Sequence, residues 1–321
     1  MKSSNCISHL GFWILALGAL TVSLSPYLSG AHWALDLFTH FQWQALIFSS
    51  LALALGGYRK HFRVVFVLAA SVFLSSYHLF WQPAVKVAAA DSKVDLTVTT
   101  VNVLYKNSNF TDTLTYLEAT NSDVICLVET DHNWDEKINE LMKSYPYKVS
   151  RPLDGPMGMH LLSRYPFYRS TSEIVQGTDS QLIDASLQTP SGEVRVLVAH
   201  PYPPLSEERA RQNEAYFKRL EERARWTPDT PVLVAGDLNA TPWSRNFQKL
   251  TAGADLRSTI SNEPWLSTWS PIPFSPVGLT GLQIDQILAS SKFSVVSTLT
   301  GPNNGSDHKP LTIALSLDQP M

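Results

Sequence analysis

Two regimes of hydrophobic patterning meet near residue 85. Before it, apolar residues run together without alternation over residues 11–29, 41–58 and 62–81. Each run is close to the roughly 20 residues that an α-helix needs to cross a bilayer core. Pro26 and Pro83 fall near segment ends, where a helix tolerates a break. Tyr27, Trp33, Trp43, Tyr58, Tyr77 and Trp81 cluster at the same ends, as interfacial aromatics do. Beyond residue 85 the pattern breaks into short apolar runs of strand length at 96–101, 124–128, 159–162, 194–199, 232–235, 283–288 and 311–315. Helical patterns lie between them, at 111–120 and most clearly at 206–225. In the latter, Ser206 offers a cap, Glu207 and Glu208 suit the helix start, and Ala210, Phe217, Leu220 and Ala224 form one apolar stripe. Strands alternating with helices predict a layered α/β domain.

Charge sharpens the division. The chain has 321 residues and a formal net charge of −3. Residues 11–85 hold four full charges, Asp36, Arg59, Lys60 and Arg63, whereas residues 86–321 hold a near-ordinary density and a net −6. The expected organisation is a membrane anchor at 1–85 with about three transmembrane helices, a linker at 86–94 and a soluble domain at 95–317. A signal peptide followed by buried core helices is the competing reading of the first third. Lys2 precedes the first run, and Arg59, Lys60 and Arg63 fill the turn between the second and third. Both places belong in the cytoplasm by the positive-inside rule. Three crossings then leave the C-terminal domain outside, periplasmic or extracellular. The acidic balance disfavours a dedicated duplex binder, which needs Lys and Arg for phosphates. Cys6 and Cys126 are the only cysteines, so a disulfide scaffold is excluded, and Cys126 reads as a small buried hydrophobe.

The informative polar residues abut the strand-like runs. Asn102, Glu129, His200, Asp237 and Asn239 each follow one, Asp285 lies within one, and Asp307 and His308 precede the last. A carboxylate beside a buried strand costs desolvation unless a cation or donor compensates it. A cap or satisfied loop group explains any one of them but poorly explains all together. The segments Val101-Asn102-Val103, Val128-Glu129-Thr130, Gly236-Asp237-Leu238-Asn239-Ala240-Thr241-Pro242, Gln283-Ile284-Asp285-Gln286-Ile287-Leu288 and Gly305-Ser306-Asp307-His308-Lys309-Pro310, in this order and spacing, resemble the endonuclease/exonuclease/phosphatase superfamily. The blocks beginning at Gly158 and His200 resemble it too. The nearest likeness is to bacterial members anchored in the inner membrane by several N-terminal spans.

The resemblance implies a deoxyribonuclease-like four-layer α/β sandwich and a phosphoesterase dependent on Mg²⁺, with Mn²⁺ or Ca²⁺ as alternatives. It implies Glu129, Asn102 and Asp307 at the metal. His308 becomes the general base, and Asp285 the carboxylate that holds its ring. Asp237 positions water or the leaving group, Asn239 donates to a phosphate oxygen, and His200 binds phosphate or protonates the leaving oxygen. The substrate is then a phosphoester: a lipid, a small molecule, or DNA or RNA if the chain is a nuclease. A non-catalytic binding module on the same fold is the remaining alternative. Gln286 stands where many members carry His, Tyr or Arg, and is expected to alter substrate contacts. His160 reads as a packed strand residue or a site neighbour, and Asn107 as a turn residue or a pocket residue. Arg164 and Lys309 are expected at the surface or behind the site. The arginines of 206–225, interleaved with Glu, read as a solvated face.

Overall fold

The computed structural model describes residues 2–59, 62–89, 91–225, 229–260, 262–272 and 279–317. They divide into two compact units, Met1–Gln82 with Thr241–Arg245, and Pro83–Ala240 with Asn246–Met321.

The first unit is helical: α1 (Lys2–Leu28), α2 (Trp33–Thr39), α3 (Gln42–Tyr58) and α4 (Phe62–Phe80). The three expected apolar helices form, but among the described residues only two stretches, Leu10–Leu28 and Phe62–Phe80, are long and apolar enough to cross a membrane. The third expected span, α3, falls short on length. α3 has 17 residues, about 26 Å at the usual helical rise against a core of roughly 30 Å. Lys60, from the basic turn, lies outside the described residues. Packing within the unit is inverted relative to a water-soluble bundle. Ser23, Gln42, Ser49, Ser71 and Ser75 are buried, while Leu10, Ile14, Phe48, Leu51, Phe66 and Phe73 are exposed. The buried hydroxyls satisfy one another across helices: Ser23 Oγ lies 2.7 Å from Ser71 Oγ and 2.8 Å from Ser75 Oγ, Ser49 Oγ lies 2.8 Å from Ser71 Oγ, and Gln42 Nε2 donates to Val22 O at 2.8 Å.

The second unit contains β1 (Lys86–Val87), β2 (Leu96–Asn102), α5 (Phe110–Thr120), β3 (Val124–Val128), α6 (His132–Ile138), β4 (Tyr147–Arg151), β5 (Met159–Ser163), β6 (Phe167–Ile174), β7 (Gln181–Thr189), β8 (Gly192–Ala199), α7 (Glu207–Arg225), β9 (Val232–Asp237), α8 (Arg245–Gly253), β10 (Leu256–Ser258), β11 (Asp285–Ser290), β12 (Phe293–Thr300) and β13 (Leu311–Leu317). They build a seven-stranded sheet, β1-β12-β13-β2-β3-β5-β4, and a six-stranded sheet, β10-β11-β9-β8-β7-β6. Both are mixed: β2/β3 and β8/β9 are parallel, and most other pairs antiparallel.

Strand alternation explains the layers. Val124, Cys126 and Val128 of β3 join Val194, Val196 and Val198 of β8 in the core between the sheets. The intervening Ile125 and Leu127 face outward and pack with Leu114, Leu117, Trp134 and Ile138. On the other sheet, Leu197, Val232 and Val234 pack with Tyr216, Phe217, Leu220 and Phe247. Two sheets each covered by helices are thus the α/β architecture expected, with one apolar face of each strand per layer. The cap on α7 forms as the sequence suggests, Arg209 N–H donating to Ser206 Oγ at 3.2 Å. Its arginines are engaged by carboxylates: Arg219 and Arg223 with Glu173, Arg225 with Glu221 and Arg211 with Glu208. Cys126 is buried, and burial raises its thiol pKa, consistent with a packing role.

Candidate active site

The eight residues singled out from sequence all lie in the second unit, at one edge of the paired sheets. Topology brings them there. Asn102 and Asp237 end β2 and β9, while Glu129 and His200 follow β3 and β8. Asp285 begins β11, but β11 runs antiparallel to β9 with Asp285 opposite Asp237. His308 precedes β13, whose Leu311 pairs with Thr100 of antiparallel β2. Parallel strands therefore contribute their C-terminal ends and antiparallel strands their N-terminal ends to one place.

His308 is the hub. Its Nδ1 donates to Asp285 Oδ2 at 2.8 Å, and its Nε2 lies 3.7 Å from Asp237 Oδ2 and 3.9 Å from Asp307 Oδ1. His200 Nε2 lies 3.7 Å from the same Asp237 oxygen and 4.0 Å from Glu129 Oε1. Asn102 Nδ2 donates to Glu129 Oε1 at 2.9 Å and to Asp237 Oδ2 at 3.1 Å, and lies 3.3 Å from His308 Nε2. Its oxygen accepts Leu104 N–H at 3.0 Å, so the amide nitrogen faces the carboxylates. Ligation of a cation through oxygen requires the opposite amide orientation. Asn239 N–H donates to Asp237 Oδ1 at 2.8 Å, and its side chain donates to Pro201 O at 3.0 Å. That ties the Asp237 turn to the segment after His200. Glu129 and Asn239 hold left-handed backbone, φ 60° and 48°, a conformation concentrated at functional sites.

The electrostatics are lopsided. Glu129, Asp237, Asp285 and Asp307 share the two imidazoles of His200 and His308. Burial raises the pKa of Glu129 and of Asp237, favouring their neutral forms. Burial also lowers that of His200 despite Asp237. For His308, burial opposes the charged ring, but Asp285 and Asp237 outweigh it and the pKa rises. Asp285 Oδ1 and Asp307 Oδ1 are shielded from solvent without a hydrogen-bond partner. Glu129–His200–Asp237 and Asp237–Asp285–His308 each hold ligand atoms within 4.8 Å of one another. Hard carboxylate oxygens at this density, two of them unsatisfied, fit a divalent cation that prefers oxygen ligands.

Other expectations resolve differently. His160 is fully buried, with Nδ1 2.8 Å from Thr130 Oγ1 and Nε2 2.7 Å from Asp135 Oδ1, a packed strand residue behind Glu129. Asn107 is a turn residue that holds the loop before β13 by donating to Asn304 O at 3.1 Å. Gln286 is corrected: it is fully buried, accepts from Ser258 Oγ at 2.8 Å and donates to Gln283 O at 3.0 Å, so it makes no substrate contact. Arg164 stacks on Tyr145 at 5.2 Å, away from the site. Sequence reading missed three supports. Ser306 Oγ accepts His308 N–H at 3.0 Å and donates to Asn102 O at 2.8 Å. Tyr216 Oη accepts His200 N–H at 3.1 Å. Thr268 Oγ1 accepts Asp285 N–H at 3.0 Å. Ser306 lies within the block around His308 but was given no role there, and Tyr216 and Thr268 carry no motif of their own.

Residues 99–308 match the Endonuclease/Exonuclease/phosphatase family. Similar solved structures include an endonuclease/exonuclease/phosphatase from Beutenbergia cavernae DSM 12333, with 20% identity over 70% of this chain and 72% of that one and a TM-score of 0.57. The human Nocturnin catalytic domain with bound sulfate has 21% identity over 70% and 96%, TM-score 0.58. Sphingomyelinase C from Streptomyces griseocarneus has 20% identity over 68% and 98%, TM-score 0.50. At these identities the likeness speaks for the fold. No curated protein matches the sequence at a significant level. The family match covers well over half of the chain and every residue of the cluster, so the chain belongs to the endonuclease/exonuclease/phosphatase family.

Proposed function

We propose that this chain is a membrane-tethered, divalent-metal-dependent phosphoesterase, with residues 1–85 as anchor, 86–94 as linker and 95–317 as catalytic domain. The observation that carries the chemistry is the packing of Glu129, Asp237, Asp285 and Asp307 around His200 and His308, with carboxylate oxygens left unsatisfied. Glu129, Asp307 and, with its amide turned, Asn102 would hold the cation. When bound, the cation polarises the phosphoryl oxygen and neutralises charge that develops on it. With a cation offsetting the carboxylates that raise its pKa, His308 Nε2 would be free to take the proton of the attacking water, while Asp285 retains the Nδ1 proton and fixes the ring plane. Asp237, between the two imidazoles, positions water or the leaving group. His200 Nε2 binds phosphate or protonates the leaving oxygen, and Asn239 contributes a donor to phosphate. The arginines of α7 are spent on carboxylates, which speaks for a phosphorylated lipid or small molecule over a nucleic acid track.

Full-length protein in detergent, offered phospholipids, sphingomyelin, nucleotides, plasmid DNA and RNA with Mg²⁺ or Mn²⁺, is expected to cleave a phosphoester and to stop with EDTA. Failure on every substrate with every metal ends the enzyme reading.

Tethering rests on the inverted packing of the first unit. Burying serines while exposing Phe and Leu is unfavourable in water, but it is how helices pack in hydrocarbon, through small and hydroxyl-bearing residues. α3 shares that packing and determines the sidedness. Three crossings put the catalytic domain outside the cytoplasm, whereas two, by α1 and α4 alone, return it to the side of Lys2 and leave Arg59 and Arg63 on the opposite side. We propose three, the shorter α3 being accommodated by local bilayer thinning. Alkaline carbonate should leave the chain in the membrane pellet, and a C-terminal alkaline phosphatase fusion should be active. A soluble chain overturns the anchor, and an inactive but expressed fusion overturns the orientation.

A further inference from the structure

Ser267-Thr268-Trp269-Ser270 is a strap laced to both halves of the site. Trp269 exchanges two backbone hydrogen bonds with Leu282, at 3.0 and 2.8 Å. Ser270 N–H donates to Asp307 O at 3.1 Å, and Lys309 N–H donates to Thr268 O at 2.7 Å. A Cβ on Gly281 would sit 2.5 Å from Trp269 O, so a side chain there would push the strap away. Held in this way, the indole tilts at 54° toward His308, ring centroids 6.5 Å apart. Its Nε1–H donates to Asp307 Oδ2 at 2.9 Å. The other oxygen, Oδ1, is the one without a hydrogen-bond partner, 3.9 Å from His308 Nε2.

We propose that Trp269 is a positioning residue of the metal centre: by occupying Oδ2 it leaves Asp307 a single oxygen for coordination, and so favours a small octahedral cation over a large one. The inference rests on the metal-dependent reading above. A donor fixed on one carboxylate oxygen takes one of its lone pairs and fixes the carboxylate plane, which biases ligation to the other oxygen against bidentate binding. Mg²⁺ demands near-ideal octahedral geometry, which one-oxygen ligands suit, whereas Ca²⁺ takes six to eight oxygens and accepts bidentate carboxylates. Losing the indole N–H frees Oδ2, and the gain goes to the larger ion. Partners behind a metal ligand commonly control affinity by about 10- to 100-fold.

The test is calorimetric titration of full-length, chelator-stripped protein in detergent with Mg²⁺ and with Ca²⁺, for wild type, Trp269→Phe and Trp269→His. Phe keeps most of the ring bulk and loses the donor. His places a ring N–H at the same bond count from Cβ as the indole N–H, and loses the bulk. Expected is a shift of about tenfold or more toward Ca²⁺ in the ratio of dissociation constants for Trp269→Phe, with the ratio held within about threefold for Trp269→His. An unchanged ratio in Trp269→Phe overturns the inference, as does an equal shift in both variants, which marks mere packing. If Trp269→Phe does not fold, Trp269→His decides alone: a held ratio supports the inference and a shifted one overturns it. Wild-type protein that binds neither ion overturns the metal reading itself, an outcome separable from either variant result.

Discussion

Asp285→Asn lowers kcat on the cleaved phosphoester by about 100- to 10,000-fold, with KM little changed. Asp285 is fully buried, accepts the Nδ1 proton of His308 at 2.8 Å, and leaves Oδ1 unpartnered. An Asn in this place has two orientations, and both are poor. With its amide group toward His308 it donates to Nδ1, forces the ring proton onto Nε2, and removes the lone pair that should receive the proton of water. With its oxygen toward His308 it keeps the hydrogen bond but buries an NH₂ without an acceptor at the Oδ1 position, which costs roughly 1–3 kcal/mol. The negative charge that supports a developing imidazolium is lost either way. KM stays near wild type because Asp285 lies behind His308 and touches no substrate. Steady-state kinetics on the full-length chain, with the melting temperature recorded alongside, checks the result. A kcat within about threefold of wild type removes His308 as the proton acceptor held by Asp285.

That argument was half legible in the sequence. Residues that abut continuous apolar runs could be assigned to strand ends from patterning alone, and Asn102, Glu129, His200, Asp237 and His308 do converge. What patterning could not give was direction. Asp285 sits at the start of its strand, and it reaches the site because β11 is antiparallel to β9. β6 and β4 escaped notice because their residues are mostly half-exposed edge positions with weak alternation. Gln286 was expected to alter substrate contacts because the resemblance places His, Tyr or Arg there, and strand geometry overrides that expectation. Adjacent strand residues point to opposite faces, and Gln286 points to Ser258. In the same way Tyr216 lies on the stripe of α7 with Phe217 and Leu220 but reads as core, and its hydroxyl supports His200 only through tertiary contact. The helical third was legible in composition. The length of α3 was legible to within one residue, since the run 41–58 becomes a helix over Gln42–Tyr58.

Gly236→Ala is expected to be a severely damaging single-carbon change in the second unit. Gly236 has φ +144°, a region L side chains rarely adopt, and an added Cβ would stand 2.0 Å from Ala199 O. The clash is with backbone, so β9 must retreat from β8, and no rotamer relieves it. Strain and overpacking together cost about 2–5 kcal/mol, which lowers the melting temperature by about 5–15 °C in a domain of this size. The chemical damage follows from adjacency. Asp237 is the next residue after Gly236, and His200 the next after Ala199. The separation of β8 from β9 therefore sets the 3.7 Å between His200 Nε2 and Asp237 Oδ2. Widening it also displaces Asp237 from Asn102, 3.1 Å away, and from His308. Activity should fall by more than tenfold even at temperatures where the variant is folded by circular dichroism. Gly253→Ala, whose Cβ would meet the flexible Glu221 side chain, is the control and should keep activity. A Gly236→Ala protein with wild-type melting and wild-type turnover contradicts the account, because the close approach of the two strands would then not determine where Asp237 and His200 stand.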